Sequence, residues 1–596
     1  MRRSALGLQA TPTENNQPMR AADFPNLAAA LDYAALGQTG SNFYTGRGEL
    51  YAVLTYAELR SKALQLARRL RGLNVPRGAR VAIVADTHPD FLRFFFACQY
   101  AGLVPVPLPI PLNPGGHEAY VKHTRAMVKS CQASLAMASA DYSGLLDEVV
   151  KGLELAFVGS PEAFDALPEL ECELQPMQAD ELAYLQYTSG STRFPRGVMI
   201  TQQQVMSNLA GIITEGMEMR PTDRCVSWLP FYHDLGLVGL VLVPLASQVT
   251  VDYLGTREFA MRPKQWLTLM SNNKATISCS PPFGFELCNR RLREGEAEQF
   301  DLSAWRVAGL GAEMIRPQVL NDFADAMAPS GFDRKAFLPG YGMAECSLAV
   351  SFTPVNKGLL VDRVDADQLA LSERAQPVGQ DAPAERVSEF VNCGVPLSTF
   401  EVEVRDESGE VVPERHIGVI YVRAPSVMSG YFNEPEITAQ TLSPDGWLNT
   451  GDIGYQTAAG IFITGRKKDL IIINGRNIWP QDLEQIAEQQ PELRPGDALA
   501  FAVPGIDGTD TIVMVVQSRE KDAEQLGELS GRLHGLVLGE MGVDCHIELV
   551  PLHTLPRTSS GKLSRSRARL NYIEAHQLDQ NGDEGTTADP LLKQTG

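Results

Sequence analysis

The sequence has no hydrophobic run long enough to cross a membrane. Its longest apolar stretches, such as Leu235–Ala246, fall short of the ~20 residues that a transmembrane helix needs, and Leu103–Leu112 is broken by prolines. Two arginines follow Met1, but the apolar run of a signal peptide does not come after them. We therefore expect a cytoplasmic protein without integral membrane association.

Cysteine is sparse, and its nine residues are spread singly between Cys98 and Cys545 without a CxxC pair or a tight cluster. This usage excludes a disulfide framework and a zinc site, and it is typical of a reducing compartment. Basic residues are outnumbered, since 52 lysines and arginines face 72 acidic residues and give a net charge of −20. A charge of this sign argues against binding to nucleic acid, although a local basic patch could still contact an acidic partner.

A chain of 596 residues is too long for one hydrophobic core, so we expect at least two domains. Helix-like and strand-like segments alternate after a T-x-x-E capping box at Thr55, with apolar runs at Val81–Val84 and Leu182–Tyr187. From about Val391 apolar and polar residues alternate in short stretches, which is typical of antiparallel strands. A fresh buried strand, Leu470–Ile473, opens a pattern that predicts a small α+β domain.

A loop rich in serine, threonine and glycine follows the strand at Leu182–Tyr187 and precedes a helical segment. Hydroxyls and unobstructed backbone N–H groups in this setting can bind a polyphosphate. The loop is not a Walker A motif, which requires G-x-x-x-x-G-K-[ST]. Taken alone, the segment is equally compatible with a flexible turn.

Further motifs decide between these alternatives. They follow one another along the chain as Tyr187–Thr192 with Pro195-Arg196-Gly197, Trp228-Leu229-Pro230 with His233-Asp234, Gly309–Glu313, Tyr341–Glu345, Gly430-Tyr431, Asp445–Asp452, Gly465–Asp469 and Pro556–Lys562. In this order the set resembles the adenylate-forming superfamily, which contains acyl-CoA synthetases, luciferases and the adenylation domains of peptide synthetases. The resemblance runs from roughly Thr55 to Arg569, which is nearly the whole chain.

The resemblance implies an α/β fold with a large N-terminal domain of two α/β subdomains plus a small β-barrel. A small mobile α+β C-terminal domain would follow it. We expect a disordered leader at 1–20, the N-terminal domain at 21–466, the C-terminal domain at 467–575 and a disordered tail at 576–596.

The resemblance also implies an enzyme that uses ATP and Mg²⁺ to join a fatty acid to AMP. The acid's carboxylate must attack the α-phosphate, so two anions have to meet, and catalysis is largely positioning and charge neutralisation. Lys562 would bridge the two anions, Glu345 would hold Mg²⁺, and His233 would be a further catalytic residue. The ordinary alternatives are a solvated lysine in a basic segment and a carboxylate at a helix N-terminus.

The nucleotide would be held at three places. Thr188, Ser189, Gly190, Ser191 and Thr192 would bind the β- and γ-phosphates. The strip around adenine would contain Gly311, Ala312, Glu313 and Tyr341, with Gly342, Met343 and Ala344 after it. Asp452 would accept hydrogen bonds from the ribose hydroxyls, with Arg466 close by, unless it is only a turn residue. Lys468 occupies the hinge position, where rotation would swing the small domain between adenylation and acyl transfer, although three consecutive charges are also typical of a surface turn.

Three features favour one branch, the fatty acyl-AMP ligases, which hand the acyl group to a carrier protein rather than to CoA. Ala344 stands where CoA ligases usually carry threonine, and a long polar stretch lies within about residues 355–390. The third feature is Asn474–Pro480, where Asn477 replaces an arginine of many CoA users. The inserted stretch could restrict domain rotation, or it could be a tolerated surface loop.

The expected partners are thus a fatty acid and a separate phosphopantetheinylated acyl-carrier protein or polyketide synthase, because the sequence has no Gly-x-Asp-Ser carrier site of its own. A CoA ligase and a nucleotide-binding protein without turnover remain alternatives. Arg196 departs from the usual lysine in the phosphate loop and keeps its charge but not its geometry. Trp228, Phe231, Leu235 and Phe283 are candidate walls of an acyl tunnel or ordinary core residues.

Overall fold

The computed structural model describes residues 8–111, 117–188, 195–383, 386–473, 476–504, 510–558 and 562–576. We call the described residues up to Arg466 the large lobe and those from Lys467 onward the small lobe. Helices and strands alternate along much of the large lobe, as the apolar spacing predicts. None of the helices in these ranges is both long and apolar enough to span a membrane.

The first part of the large lobe contains eight strands and seven helices. They are α1 (Leu27–Ala34), β1 (Gly40–Tyr44), β2 (Leu50–Thr55), α2 (Tyr56–Gly72), β3 (Arg80–Val84), α3 (Pro89–Ala101), β4 (Val104–Leu108), α4 (His117–Ser130), β5 (Ala133–Met137), α5 (Ser143–Val150), β6 (Phe157–Gly159), α6 (Pro161–Asp165), β7 (Leu182–Tyr187), β8 (Gly197–Thr201) and α7 (Gln202–Gly211). Helix α2 begins at the predicted capping box, since the Thr55 hydroxyl accepts from the N–H of Glu58 and the Glu58 carboxylate accepts from the N–H of Thr55.

The rest of the large lobe builds a second sheet system and an antiparallel sheet. Its elements are β9 (Arg224–Ser227), α8 (Asp234–Leu237), α9 (Val243–Ala246), β10 (Thr250–Leu254), α10 (Thr256–Met261), α11 (Lys264–Asn272), β11 (Ile277–Ser280), α12 (Pro282–Arg291), β12 (Val307–Leu310), α13 (Pro317–Met327), β13 (Phe337–Gly342), β14 (Ala349–Phe352), β15 (Val361–Asp365), α14 (Ala366–Ser372), β16 (Val387–Val391), β17 (Val395–Pro396), β18 (Glu401–Arg405), β19 (Gly418–Arg423), β20 (Gly430–Tyr431), α15 (Pro435–Thr441), β21 (Leu448–Thr457) and β22 (Gly460–Arg466).

The small lobe is the predicted α+β unit. Its elements are β23 (Ile471–Ile473), β24 (Arg476–Ile478), α16 (Pro480–Glu488), β25 (Ala498–Pro504), β26 (Asp510–Ser518), α17 (Ala523–Met541), β27 (Cys545–Pro551) and α18 (Arg565–Ala575). Strands β25, β26 and β27 form one sheet, and its apolar residues form clusters that contain no described residue of the large lobe.

Two helix-covered sheets make up most of the large lobe, which confirms the predicted α/β class. One has the order β4-β3-β5-β6 and is parallel throughout. The other has nine strands in the order β17-β14-β13-β12-β11-β9-β10-β1-β2, and its centre from β13 to β10 is parallel. Where the sequence predicted a small β-barrel, the described residues form a four-stranded antiparallel sheet in the order β18-β19-β21-β22, without pairing between β18 and β22 in those residues.

The leader, which the sequence analysis expected to be disordered over residues 1–20, packs against the large lobe from residue 8 onward. Thr11 is buried, and its N–H donates to Oδ1 of Asn42 over 2.9 Å while Arg224 donates to its carbonyl oxygen over 2.9 Å. Arg224 also pairs with the buried Asp252 at 2.7 Å. Polar contacts therefore order a segment whose composition lacks the apolar residues of a core. Residues 1–7 and the expected tail from 577 lie outside the described residues.

Candidate active site

The predicted site residues come together at the carboxyl ends of parallel strands in the nine-stranded sheet. Strand β9 is followed by Trp228–His233, β12 by Gly311–Glu313 and β13 by Met343–Glu345. Because these strands run in the same direction, their carboxyl ends meet at one edge, where open α/β sheets bind ligands. The edge gathers side chains that lie more than a hundred residues apart in the sequence.

Tyr341, Asp452 and Arg466 form a hydrogen-bonded group on one side of this edge. The Tyr341 hydroxyl donates to Oδ2 of Asp452 over 2.8 Å, and Nε of Arg466 lies 3.0 Å from Oδ1. Asp452 and Arg466 stand opposite each other on β21 and β22, and the buried carboxylate raises the pKa of the guanidinium. Asp452 is buried and contacts both Tyr341 and Arg466, so it does not serve only to form a turn. Its carboxylate oxygens can also accept hydrogen bonds from the hydroxyls of a sugar.

Glu345 lies in the turn after β13 and is held from the neighbouring sheet. The hydroxyl of Tyr431 donates to its Oε1 over 2.8 Å, and the N–H of Met428 donates to its carbonyl oxygen over 2.7 Å. Burial raises the pKa of this carboxyl above its ordinary value. Glu345 is partly exposed, and its carboxylate is a hard oxygen ligand of the kind that Mg²⁺ prefers, so this side chain fits that ion.

Arg196, the departure from the usual lysine, sits behind Tyr431. Its guanidinium lies 5.5 Å from the centre of the Tyr431 ring, and its Nε is 3.4 Å from Glu434. Of the five residues predicted to bind the β- and γ-phosphates, Thr188 falls in the described residues, and its N–H donates to the Arg196 carbonyl over 3.1 Å. Ser189, Gly190, Ser191 and Thr192 lie outside them.

The strip after β12 is shaped by close backbone contacts. A Cβ on Gly311 would lie 3.2 Å from the carbonyl oxygen of Gly340, and Ala312 has a φ of +71°. A Cβ on Gly342 would lie 1.9 Å from the carbonyl oxygen of Leu348, so only glycine fits there. Met343 follows with its N–H bonded to that same oxygen over 2.8 Å, and Ala344 is buried.

Glu313 lies between this strip and the small lobe. Its Oε1 accepts from the N–H of Phe283 over 2.9 Å, in the first turn of α12. Burial raises its pKa, and the positive charges of Lys562 and Arg316 oppose that rise. The side chain is therefore bound to a helix N-terminus, a role that the motif alone did not reveal.

Lys562 reaches across from the small lobe to His233. Its Nζ lies 3.4 Å from Nε2 of His233, and the carbonyl oxygen of Lys562 accepts from the N–H of Thr558 over 2.7 Å. On the other side of the imidazole ring, Nδ1 lies 2.6 Å from Oδ1 of Asp234. Burial lowers the pKa of the lysine, while the charges of Asp234 and Glu313 raise it. The structure thus places Lys562 inside the site rather than in solvent.

Several residues around the small lobe had no assigned role in the sequence analysis. Arg565 donates through Nε to the carbonyl oxygen of Ala500 over 2.9 Å and pairs with Asp469 at 3.1 Å and Glu484 at 2.7 Å. Asp469 directly follows the exposed Lys468, so Arg565 joins the segment of the predicted hinge to the segment of Lys562. The sequence feature that could have indicated this role is the position of Arg565, three residues after Lys562.

A second contact between the lobes lies beside α13. Nη1 of Arg316 pairs with Oε2 of Glu488 at 2.7 Å, and Arg290 donates to the carbonyl oxygen of Pro495 over 2.9 Å. Glu488 is largely buried, which raises its pKa from 4.5 to about 7, although Arg316 opposes the shift. This ion pair links α16 of the small lobe to the large lobe, but it offsets only part of the cost of burying the ionised Glu488 carboxylate.

The predicted insertion forms an antiparallel pair, β15 and β16, with α14 between them. Asp362 accepts from the Tyr455 hydroxyl over 2.9 Å and from Arg415 over 2.8 Å, which ties the insertion to the antiparallel sheet. Toward the small lobe, Nδ2 of Asn477 donates to Glu373 over 3.1 Å. Trp479 of the small lobe shares an apolar cluster with residues of the insertion, namely Val364, Leu369, Ala370, Ala375 and Phe390. The cluster also contains Ile417, Ile453, Tyr455 and Phe462. The insertion therefore contacts the rest of the large lobe and the small lobe near the predicted hinge at Lys468.

The candidate tunnel residues are mostly buried aromatic rings. Trp228 stacks on Phe259 with ring centres 3.8 Å apart and meets Phe283 edge-on at 5.6 Å. Phe231 is fully buried, whereas Leu235 is partly exposed. These contacts are equally those of a packed core, so the acyl-binding role of the four residues stays a prediction.

Residues 29–432 match the family model of the AMP-binding enzymes. A protein of Caulobacter vibrioides with the provisional name acyl-CoA synthetase is 46% identical over 95% of this chain and 98% of its own length. JamA of Moorena producens, a medium-chain-fatty-acid–[acyl-carrier-protein] ligase, is 32% identical over 94% of this chain and 96% of its own. A solved chain from a study of fatty acyl-adenylate ligases of E. coli and L. pneumophila is 47% identical, with a TM-score of 0.90 over 94% of this chain and all of the other.

These likenesses confirm the resemblance that the ordered motifs indicated. The family model alone covers more than half of the chain. Accordingly, the protein belongs to the AMP-binding enzyme family.

Proposed function

We propose that this protein is a fatty acyl-AMP ligase that passes its product to a separate acyl-carrier protein. The fatty acid's carboxylate oxygen attacks the α-phosphorus of ATP, the bond to the β-phosphate oxygen breaks, and pyrophosphate leaves with acyl-AMP remaining bound. The observation that carries the proposal is the position of Lys562, 3.4 Å from His233 at the edge where Glu345, Tyr341 and Asp452 converge. An ammonium group at this position would stabilise the fatty acid carboxylate and the α-phosphate of ATP as they approach each other.

The nucleotide would bind between the strip after β12 and the pair formed by Asp452 and Arg466. Asp452 would accept from the ribose hydroxyls, and Arg466 would hold the carboxylate in place. Thr188 and the four residues after it would bind the β- and γ-phosphates. Glu345 would hold Mg²⁺, which supplies positive charge to the phosphate oxygens when it is bound. Since ATP is the co-substrate, we also propose a cytoplasmic location.

In this reaction Lys562 would hold the carboxylate and the α-phosphate together while charge moves between them. The lysine comes from the small lobe, so adenylation requires that lobe in the position described above. We propose the division at residues 466 and 467, with Lys468 as the hinge that lets the lobe turn after adenylation. The phosphopantetheine thiol of the carrier would then attack the acyl carbonyl, form a thioester and release AMP.

The insertion supports a carrier protein rather than CoA as the acceptor. It contacts the small lobe through the hydrogen bond of Glu373 with Asn477 and through the apolar cluster around Trp479. Both contacts oppose a rotation of the small lobe away from the adenylation position. A carrier protein, with its larger docking surface, can repay that cost better than free CoA can.

A CoA ligase is the second candidate function, and the provisional name of the C. vibrioides relative favours it. The two functions separate when ATP, Mg²⁺ and laurate are supplied with either CoA or a phosphopantetheinylated carrier. We expect pyrophosphate release and acyl-AMP in both mixtures but thioester only with the carrier. Rapid formation of lauroyl-CoA would overturn the proposed acceptor, and absence of acyl-AMP with every fatty acid tested would overturn the ligase itself.

A further inference from the structure

Asp234 is a largely buried carboxylate beside the candidate site, and the reaction proposed above assigns it no role. Its side chain is 15% exposed, and its Oδ1 lies 2.6 Å from Nδ1 of His233. The same oxygen accepts from the N–H of Leu235 over 2.7 Å. The carboxylate is thus fixed by its own helix start and points at the ring that Lys562 contacts.

The chemistry of the three side chains sets the direction of their hydrogen bonds. A lysine ammonium can only donate, so Nε2 of His233, 3.4 Å from Nζ of Lys562, must accept. The ring proton of a neutral imidazole then sits on Nδ1, where the Asp234 carboxylate accepts it. The N–H of Leu235 lies 3.3 Å from Nδ1 and 2.7 Å from Oδ1 of Asp234, and in this arrangement it donates to the carboxylate. The chain Lys562–His233–Asp234 therefore requires an acceptor oxygen at its end, which holds the ring in the tautomer that can receive the lysine, and the carboxylate of Asp234 adds a negative charge to that oxygen.

We infer that Asp234 is a positioning residue for adenylate formation, which holds His233 so that the imidazole docks the Lys562 ammonium when no carboxylate substrate is present. The inference rests on the proposed function. When the fatty acid enters, its carboxylate replaces the imidazole as the partner of the ammonium, and the lysine needs only a small movement. Asp234 touches neither substrate and acts through the ring.

Four charged or titratable groups face Lys562 in the described structure. Asp234 and Glu313 are negative, Arg466 is positive, and His233 lies between the lysine and Asp234. Burial lowers the pKa of Lys562, and the two carboxylates hold it up. Removing the charge of Asp234 lowers this pKa further, so the lysine loses its proton at a lower pH. Adenylation, which needs the ammonium, should then fail at a lower pH as well.

The test compares wild type with Asp234→Asn, which keeps an acceptor oxygen but removes the charge, and with Asp234→Glu, which keeps the charge. The matched control is Asp90→Asn, because Asp90 pairs with Nδ1 of His88 at 3.1 Å in a second His–Asp pair outside the site. Adenylate formation is followed by pyrophosphate release across pH with laurate. We expect kcat of Asp234→Asn to fall roughly 10- to 100-fold, the effect of one bond to a charged group, with the KM for ATP nearly unchanged.

We also expect the alkaline limb of the pH profile to move down by roughly one pH unit in Asp234→Asn. Asp234→Glu should keep that limb near its wild-type position, and Asp90→Asn should keep both the limb and kcat. A second measurement needs no turnover: methylation of Lys562 by formaldehyde and cyanoborohydride, scored by peptide mass spectrometry across pH. Half-labelling should shift to lower pH only in Asp234→Asn.

An unchanged alkaline limb together with an unchanged labelling midpoint in a folded Asp234→Asn protein would overturn the inference. A wild type that forms no acyl-AMP would overturn the proposed function instead. In that case the labelling experiment still decides whether Asp234 controls the lysine.

Discussion

Replacing Tyr431 with phenylalanine removes a single oxygen atom, the hydroxyl that lies 2.8 Å from Oε1 of Glu345. Tyr431 as a residue is 6% exposed, so its ring should stay packed, with Arg196 still over its face. What is lost is a hydrogen bond to a carboxylate, which is worth about 1.5–3 kcal/mol. Because groups that orient a metal ligand typically change metal affinity by a factor of ~10–100, we expect the apparent Mg²⁺ affinity of adenylation to fall by that factor.

The assay is pyrophosphate release from ATP and a fatty acid, measured over a series of Mg²⁺ concentrations. Tyr421→Phe is the matched control, because the Tyr421 hydroxyl accepts from Asn449 over 3.0 Å, whereas the hydroxyl that donates to Glu345 is that of Tyr431. The control should follow the wild-type Mg²⁺ curve, and Tyr431→Phe should reach the same maximal rate only at higher Mg²⁺. If the two variants share one Mg²⁺ dependence, Tyr431 does not position Glu345 and the reasoning fails.

Three further predictions test the lobes. Lys562→Ala should lower acyl-AMP formation ~10²–10³-fold, or ~3–4 kcal/mol in the barrier, with an unchanged melting temperature, and near wild-type yield of acyl-AMP would reject its role. Glu488→Gln should raise the melting temperature at pH 8 but not at pH 4. Folding raises the pKa of this carboxyl from 4.5 to about 7, so the wild type loses ~3 kcal/mol of stability as pH rises through that interval, and the glutamine variant does not. Calorimetry at both values checks this, and an equal shift at each would contradict it. Trp479→Ala deletes a buried ring worth ~3–5 kcal/mol in the apolar cluster that joins the insertion to the small lobe, and it should raise the ratio of lauroyl-CoA to acyl-AMP. Chromatography measures this ratio, and an unchanged ratio would count against the insertion as a restraint.

The sequence was enough to predict the α/β class and the superfamily. It did not predict that motifs such as Tyr341–Glu345 lie at the carboxyl ends of parallel strands, which the structure shows for β12 and β13. The sequence could not predict which side chains contact each other in the site. The contact of Tyr431 with Glu345 spans 86 positions and that of Lys562 with His233 spans 329, and no local spacing encodes such pairs.

The leader shows a different limit. Its residues are polar and resemble a disordered segment, because composition reports how much apolar surface a segment can bury. Thr11 is held instead by directional bonds to Asn42 and Arg224, whose availability depends on the buried pair with Asp252. Hydrogen-bond partners at distant positions are invisible to a reading of hydrophobic periodicity.

The three bonds of Arg565 have a consequence for timing. By joining Asp469, Glu484 and Ala500, this side chain makes the segment after the hinge and the segment of Lys562 one rigid piece. If the small lobe turns at Lys468 as we propose, the lysine turns with it and leaves the acyl-adenylate. We then expect the two half-reactions to alternate, with the position that Lys562 vacates open to the incoming thiol.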